Sequence, residues 1–378
     1  MSRHWIRSSF LALASVMILS IALPATPVRA DPLTPFKGPA GVVTVDDVRP
    51  HYSAPENKNN SYYSEWWSVV FFLEGGYGAY VRFLITNMGL KDGAATVNAE
   101  FRLDDGEKLS ERTDLSKDQW SAGGSDVLDM KLGDNSLSGP IDGLVLKVKN
   151  DSFEAEYKLT NIAPPWKPGN GKAQYGASAG KYFQIQIPAP VAAVTGTVRI
   201  PGEKEPRIVK GVAIAEHQIM SVGMHEQAKR WMRYRAISAS TTFIAADIET
   251  PDVFGNAHIQ YAVLFKDGKK VFDTTAFKAT MGDELVDTSK PEYHVPRLIR
   301  LDWTGEAGTV KAAIKANKLT GREDYLESSN AVERFVVSKF AKPILYDFNG
   351  PFAAEVTEGG KTSKFGGDGR YFFTVVNP

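Results

Sequence analysis

Cysteine is absent from this 378-residue chain, which excludes disulfides, thiolate metal sites and cysteine nucleophiles together. Net charge is absent as well: 44 basic residues face 44 acidic ones, leaving no basic surplus for electrostatic capture of nucleic acid. A G-x-S-x-G string occurs at Gly176-Ala177-Ser178-Ala179-Gly180, but it leads into the strand pattern Lys181–Ile187 and not into a helix, and no P-loop or dinucleotide glycine fingerprint follows a strand. A serine hydrolase with a strand-to-helix nucleophile elbow is therefore unsupported, and no cofactor is implied. The 33 Gly and 21 Pro show no collagen-like period, and 43% of residues are hydrophobic, so the composition is that of a globular protein.

Residues 1–30 have the layout of a secretory leader. Arg3 and Arg7 give a positive start, Phe10 to Leu23 an apolar stretch, and Val28-Arg29-Ala30 a small-residue cleavage point before Asp31. The apolar stretch falls short of the roughly 20 residues a membrane-spanning helix needs, and Pro24 ends it. Cleavage removes Arg3, Arg7 and Arg29 and no acid, leaving 41 basic against 44 acidic residues, a formal charge of −3. A cysteine-free exported chain suits the bacterial periplasm.

The remainder alternates with period two. In Ser152–Leu159, Phe153, Ala155, Tyr157 and Leu159 oppose Ser152, Glu154, Glu156 and Lys158. Successive strand side chains point to opposite faces, so one face is dry and the other wet. Val97–Leu103 and Lys181–Ile187 repeat the pattern. Glu74-Gly75-Gly76 and Lys266-Asp267-Gly268-Lys269 predict hairpin turns, because Gly accepts positive φ. A Gly-rich connection containing Gly359-Gly360 and Gly366-Gly367 is expected between Phe352–Val356 and Tyr371–Val376. The best helical candidate is Met224–Met232. The polar, proline-bracketed Pro201–Arg207 is the expected domain boundary, giving an N-terminal β domain over 31–203 and a C-terminal one over 204–378. No internal repeat can be aligned. The hairpin Trp66–Thr86 is apolar on both faces and is expected to be covered on both, by a second sheet or domain on one side and a core or ligand cavity on the other.

Candidate chemistry concentrates in three places. Glu65-Trp66-Trp67 sets a carboxylate beside two indoles, able to floor a ligand site or simply to fill a core. Glu216-His217 sets a carboxylate beside a titratable ring. If Ala213–Ile219 is a strand, however, the two point to opposite faces. His217 and His225 lie eight residues apart, which matches no metal-ligand spacing, so no metal is expected. The basic run Lys229–Arg235, interleaved with Trp231 and Tyr234, could pair with an anionic headgroup or form a solvated face. The loop Ala163–Gly176, with Pro164-Pro165-Trp166 and Tyr175, is expected either to edge a site or to pack on a barrel end.

Asn60-Ser61-Tyr62-Tyr63-Ser64-Glu65-Trp66-Trp67, followed by the Gly75-Gly76-Tyr77-Gly78 hairpin, resembles the hydroxyneurosporene-synthase (carotenoid hydratase) and lipocalin-like family. The stretch His217 to Trp231, with Met224 and Ala228-Lys229-Arg230-Trp231, is similar to the related survival-factor proteins, linked to oxidative-stress survival and sphingolipid transport. The resemblance implies a mainly β fold: two lipocalin-like antiparallel β-barrel domains packed side by side, with few short helices. It also implies hydrophobic ligands. Hydratase members carry an Asp-His pair where this chain has Glu216-His217 without the following Asn-Trp-Gly, so catalysis does not carry over, although Glu216 could stand in as an acid, and Glu65 is the other candidate proton donor.

The expectation is an exported, periplasmic protein that binds a lipid or isoprenoid and makes at most transient contact with a membrane surface. Its candidate ligand-binding residues are Glu65, Trp66, Trp67, Tyr80, Glu216, His217 and Trp231. A hydratase adding water to an isoprenoid alkene and a carbohydrate-binding envelope module are the alternatives.

Overall fold

The computed structural model describes residues 32–88, 92–238, 240–305, 308–327 and 341–376. The leader over 1–30 lies outside them. Two large antiparallel sheets make up nearly everything else. Edge to edge, the first runs Lys108–Leu115, Ala94–Arg102, Gly78–Thr86, Ser64–Leu73, Arg207–Met220, Tyr182–Arg199, Glu154–Asn161, Val145–Lys149, Asn135–Gly139, Leu128–Leu132 and Trp120–Gly123. The second runs Lys269–Thr274, His258–Lys266, Thr241–Glu249, Arg230–Ile237, Lys361–Val375, Ile344–Glu358, Gly308–Lys315, His294–Gly305 and Lys278–Val286.

Both sheets follow one plan. Each is an up-and-down meander whose last long strand returns to pair with its first: Arg207–Met220 with Ser64–Leu73, and Lys361–Val375 with Arg230–Ile237. In each, the ladder opens after the fourth strand of that meander. In the first sheet Glu111, on the open edge, accepts hydrogen bonds from the Asp151 and Ser152 amides across the gap. The shared plan is a repeat in topology that the sequence does not display.

Two sequence boundaries move. Pro201–Pro206 is a hairpin turn inside the first sheet, since Val198 pairs with Arg207 across it; the chain passes between sheets at Ser221–Lys229. A polar, proline-containing stretch suits a hairpin turn as well as a linker, so composition could not separate them. Only Met224–Gln227 of the helical candidate is helical, and Arg230–Ile237 is strand. The C-terminal connection is also tighter than expected. The chain turns at Gly359-Gly360, and Gly366 and Gly367 sit within the strand opposite Ala353 and Phe352. The other two turns form where expected, with Gly75, Gly76, Asp267 and Gly268 all at positive φ.

Alternation decides which face each residue serves. On Ser64–Leu73, the odd positions Trp67, Val69, Phe71 and Leu73 join the first sheet's core with Phe83, Phe101 and Tyr157. The even positions Trp66, Val70 and Phe72 pack against a separate cluster containing Ile244, Ile248, Ile259 and Val263 of the second sheet. The two-faced hairpin is thus covered by its own barrel core and by the neighbouring domain. The aromatics of the 163–176 loop also belong to this junction. Trp166 and Tyr175 are buried, and the Trp166 indole donates to Asp273 across the junction at 2.9 Å.

Candidate functional site

The strand register divides the predicted residues into two groups on opposite sides of one sheet. His217 pairs with Trp67, and Glu216 with Ser68. Side chains of Glu65, Trp67 and His217 therefore point into the first barrel, while Trp66, Tyr80 and Glu216 point toward the second sheet, as the period-two argument requires for Glu216 and His217.

Inside the barrel, Glu65 is fully buried and its carboxylate is saturated with donors. The His51 amide reaches both oxygens at 3.1 and 2.9 Å, and the Tyr63 hydroxyl donates to Oε2 at 2.5 Å. His217 Nε2 lies 2.8 Å from Oε1 and His51 Nδ1 lies 3.2 Å from it. Trp67 stacks on the His217 ring, centroids 4.6 Å apart at 14°, and its indole donates to the Val48 carbonyl at 2.7 Å. The segment carrying His51 is held by Asn57, which donates to the His51 carbonyl and accepts from the Tyr182 hydroxyl.

Burial pushes the Glu65 carboxyl up, but hydrogen bonds from His217 and His51 and their charge outweigh it, and the group stays below its ordinary range. For His51 the burial penalty is outweighed by the Glu65 hydrogen bond and charge, so the ring is raised. For His217 burial wins over the Glu65 interaction and the ring is lowered. Burial and the Glu65 charge push the Tyr63 hydroxyl far up, keeping it a neutral donor.

His51, Glu65 and His217 offer three ligand atoms within 4.8 Å of one another, the residue types of a two-histidine, one-carboxylate metal site. The same atoms satisfy one another by hydrogen bonding, so the cluster is complete as a proton network. His217 meets His51 rather than His225, which lies beside Tyr62. Sequence reasoning missed His51 and Tyr63. Tyr63 stands two residues before Glu65 on the same strand face, a signal that was available; His51 has none.

Next to Trp67 lies a void of about 10 Å³, lined also by Val48, Leu128 and Ala215. That is the space of one water at most. Trp67, 2% exposed, is a member of the barrel's buried hydrophobic cluster.

Between the sheets the situation differs. A cleft of about 620 Å³ opens there, walled by Val70, Phe72, Tyr80 and Ile237 with Gly350 and Pro351. Glu100, Arg102, Lys318, Asp368 and Arg370 also line it. Of the predicted residues only Tyr80 lines this cleft. Trp66 and Trp231 pack in the junction cluster, where Trp231 meets Phe183 edge-on at 5.7 Å and Arg233 at 4.6 Å. Glu216 is buried and its two oxygens accept from Arg235, Nε to Oε1 at 2.7 Å and Nη2 to Oε2. It thereby joins the domains and presents no free oxygen to a substrate.

A profile of the Svf1 family matches residues 107–374. No curated protein sequence matches the chain. Among solved structures, CghA, crystallised with Sch210972 and without it, superposes with a TM-score of 0.61 at 12% identity, covering 91% of this chain and 95% of CghA. An AttH-like protein of Nitrosomonas europaea gives a TM-score of 0.54 at 18% identity, covering 83% of this chain and 92% of its own. At these identities the superpositions establish the shared fold.

Proposed function

This chain belongs to the Svf1 family, and from that premise we propose that it is an exported carrier holding a lipid or isoprenoid in the cleft between its two β domains. The observation that carries the reading is the cleft itself. Its volume of about 620 Å³ falls within the roughly 300–1,000 Å³ range of small-molecule sites, and Val70, Phe72, Tyr80, Ile237 and Pro351 give it an apolar wall beside the charged Glu100, Arg102, Lys318, Asp368 and Arg370. Burying apolar ligand surface there is favourable by about 25 cal/mol per Å². That a protein of the same fold, CghA, has been crystallised with a small molecule, Sch210972, supports the same use of the architecture.

A carrier is favoured over a hydratase because neither candidate acid is set up to protonate an alkene. Glu65 is held ionised by its donors, and Glu216 is bonded through both oxygens to Arg235. It is favoured over a glycan binder because Trp67 is buried and Trp66 and Trp231 pack against protein, so these three indoles offer no open stacking shelf.

The test is native mass spectrometry of gently purified protein, followed by thermal shift with added lipids. A co-purifying lipid, or stabilisation that Val70→Trp abolishes by filling the cleft, is the expected result. Protein that carries no lipid and gains no stability from any would end the proposal. Export is checked separately: the mature chain should begin at Asp31 and fractionate with the periplasm.

A further inference from the structure

His51, Glu65 and His217 come from three places in the chain: the segment after the short helix Val45–Val48, the strand Ser64–Leu73 and the strand Arg207–Met220. Two ring nitrogens converge there on a single oxygen. His217 Nε2 lies 2.8 Å and His51 Nδ1 3.2 Å from Glu65 Oε1, and all three atoms fall within 4.8 Å of one another. The other nitrogen of His217, Nδ1, lies 2.9 Å from the Asp47 carbonyl. A carbonyl only accepts, so Nδ1 carries a proton and, in the neutral ring, Nε2 is a bare lone pair. That lone pair and a carboxylate oxygen then face each other. Something positive must stand between them, either a second proton on the fully buried ring or a metal ion.

The surroundings favour the ion. Histidines that ligate metals hold their other ring N–H against a carbonyl or carboxylate, and ligating carboxylates are themselves hydrogen-bonded. His217 does the first through Asp47. Glu65 does the second, its Oε2 accepting from the Tyr63 hydroxyl and the His51 amide. On the adjoining strand Gln186 pairs with His217, so its side chain enters the barrel on the same face. Gln186 is fully buried and neither of its amide atoms has a hydrogen-bond partner, which marks a place for a polar occupant. A way in exists, since the His51 side chain is 32% exposed. The spacing fits with little movement. Ligand atoms about 2.1 Å from one tetrahedral ion stand about 3.4 Å apart, so the His217–Glu65 contact has to open by about 0.6 Å.

We propose that His51 Nδ1, Glu65 Oε1 and His217 Nε2 bind one divalent transition-metal ion, with zinc as the reference case. Two imidazoles and a carboxylate are the three-ligand set of a zinc site that keeps its fourth position for water. They suit zinc, iron or cobalt and not magnesium or calcium, which take oxygen ligands. The ion fastens the segment carrying His51 to the barrel wall. It stands apart from the cleft, which none of the three residues lines. Ligands 14 and 152 residues apart leave no spacing to read in the sequence, which is why no metal was expected from it. With the ion removed, the three atoms fall back on the hydrogen bonds described above, and the chelator-treated chain behaves as the proton network.

The experiment strips the untagged full mature chain with a chelator and titrates it with zinc by calorimetry, in excess magnesium. A second sample is loaded with cobalt and followed by visible absorption and proton NMR. One zinc per chain should bind in the micromolar range or tighter. His51→Ala should weaken binding by about tenfold or more, while His225→Ala leaves it unchanged. In the cobalt form the buried Nδ1 proton of His217 should appear as a strongly shifted, slowly exchanging resonance. Absence of saturable binding by the unsubstituted chain would overturn the site. So would one-to-one binding that His51→Ala leaves unaltered, since the ion then sits elsewhere. Should that variant fail to fold, the cobalt form of the unsubstituted chain decides, because a spectrum without a shifted exchangeable proton excludes the site.

Discussion

Glu65 Oε1 and His217 Nε2 lie 2.8 Å apart on neighbouring strands, while the other ring nitrogen, Nδ1, lies 2.9 Å from the Asp47 carbonyl. Both contacts are hydrogen bonds only when both nitrogens carry protons, and burial opposes that charge. The ring is thus contested, and the carboxylate beside it depends on its remaining donors. Removing that carboxylate strands His51 Nδ1, the Tyr63 hydroxyl and His217 together. Glu65→Gln should lower the unfolding free energy by about 3–5 kcal/mol, as loss of one partner in a buried ionic network does. Urea unfolding measures it, and a loss below 1 kcal/mol would mean the network relaxes.

The same cluster sets how stability responds to pH. Glu65 titrates below its ordinary 4.5 in the fold, so its contribution is present above that pH and lost as pH falls through the folded value. His217, held below 6.5 by burial, acts in the same sense, since the unfolded chain takes up the proton first. His51, raised above 6.5, acts oppositely: its contribution is complete below 6.5 and is lost as pH rises through its folded value. Melting temperature should therefore fall on acidification from 6.5, more steeply below 4.5, with a smaller fall on the alkaline side. His51→Ala should flatten the alkaline limb and, because the ring also helps hold Glu65 down, soften the fall below 4.5. An unaltered alkaline limb in that variant would show that His51 carries no raised affinity for its proton.

The adjacent tryptophans should behave unequally. Trp67 is 2% exposed, stacked on His217 and bonded to Val48, whereas Trp66 is partly buried at the domain junction. Trp67→Ala should cost about 3–5 kcal/mol through cavity formation, and Trp66→Ala distinctly less. Denaturant midpoints of the two variants test this; equal losses would place both indoles in one core.

Much of the architecture could be read from alternation alone, because Val97, Ala99 and Phe101, or Ala155, Tyr157 and Leu159, leave only one face to bury. The junction was harder. Trp66, Val70 and Phe72 announced a second covered face, but nothing local distinguishes an enclosed ligand hollow from a neighbouring domain. Glu65 and His217 were legible as reactive residue types. Their partner His51 was not, since it comes from the irregular segment after the short helix Val45–Val48, where no periodicity exists. The buried Arg82 Nε, which has no hydrogen-bond partner, could not be seen either: its environment is set by the register against Ser68 and Asn98.

Across the junction, the neighbouring Arg233 makes the two halves of one ion pair unequal. Glu216 and Arg235 are both nearly fully buried and joined by two hydrogen bonds. Removing either partner of such a pair costs about 3–5 kcal/mol, while replacing both with apolar residues of similar volume is near neutral. Arg233 shifts the balance, because the positive charge of Arg235 already bears on it and Glu216 relieves it. Glu216→Gln leaves two neighbouring guanidinium groups with no described acid between them, whereas Arg235→Gln leaves Glu216 with Arg233 still nearby. Glu216→Gln should therefore be the more damaging by about 1 kcal/mol or more, and Glu216→Leu with Arg235→Met should recover most of the loss. A double-mutant cycle from urea unfolding measures all three. Equal single losses would show that Arg233 does not feel Glu216.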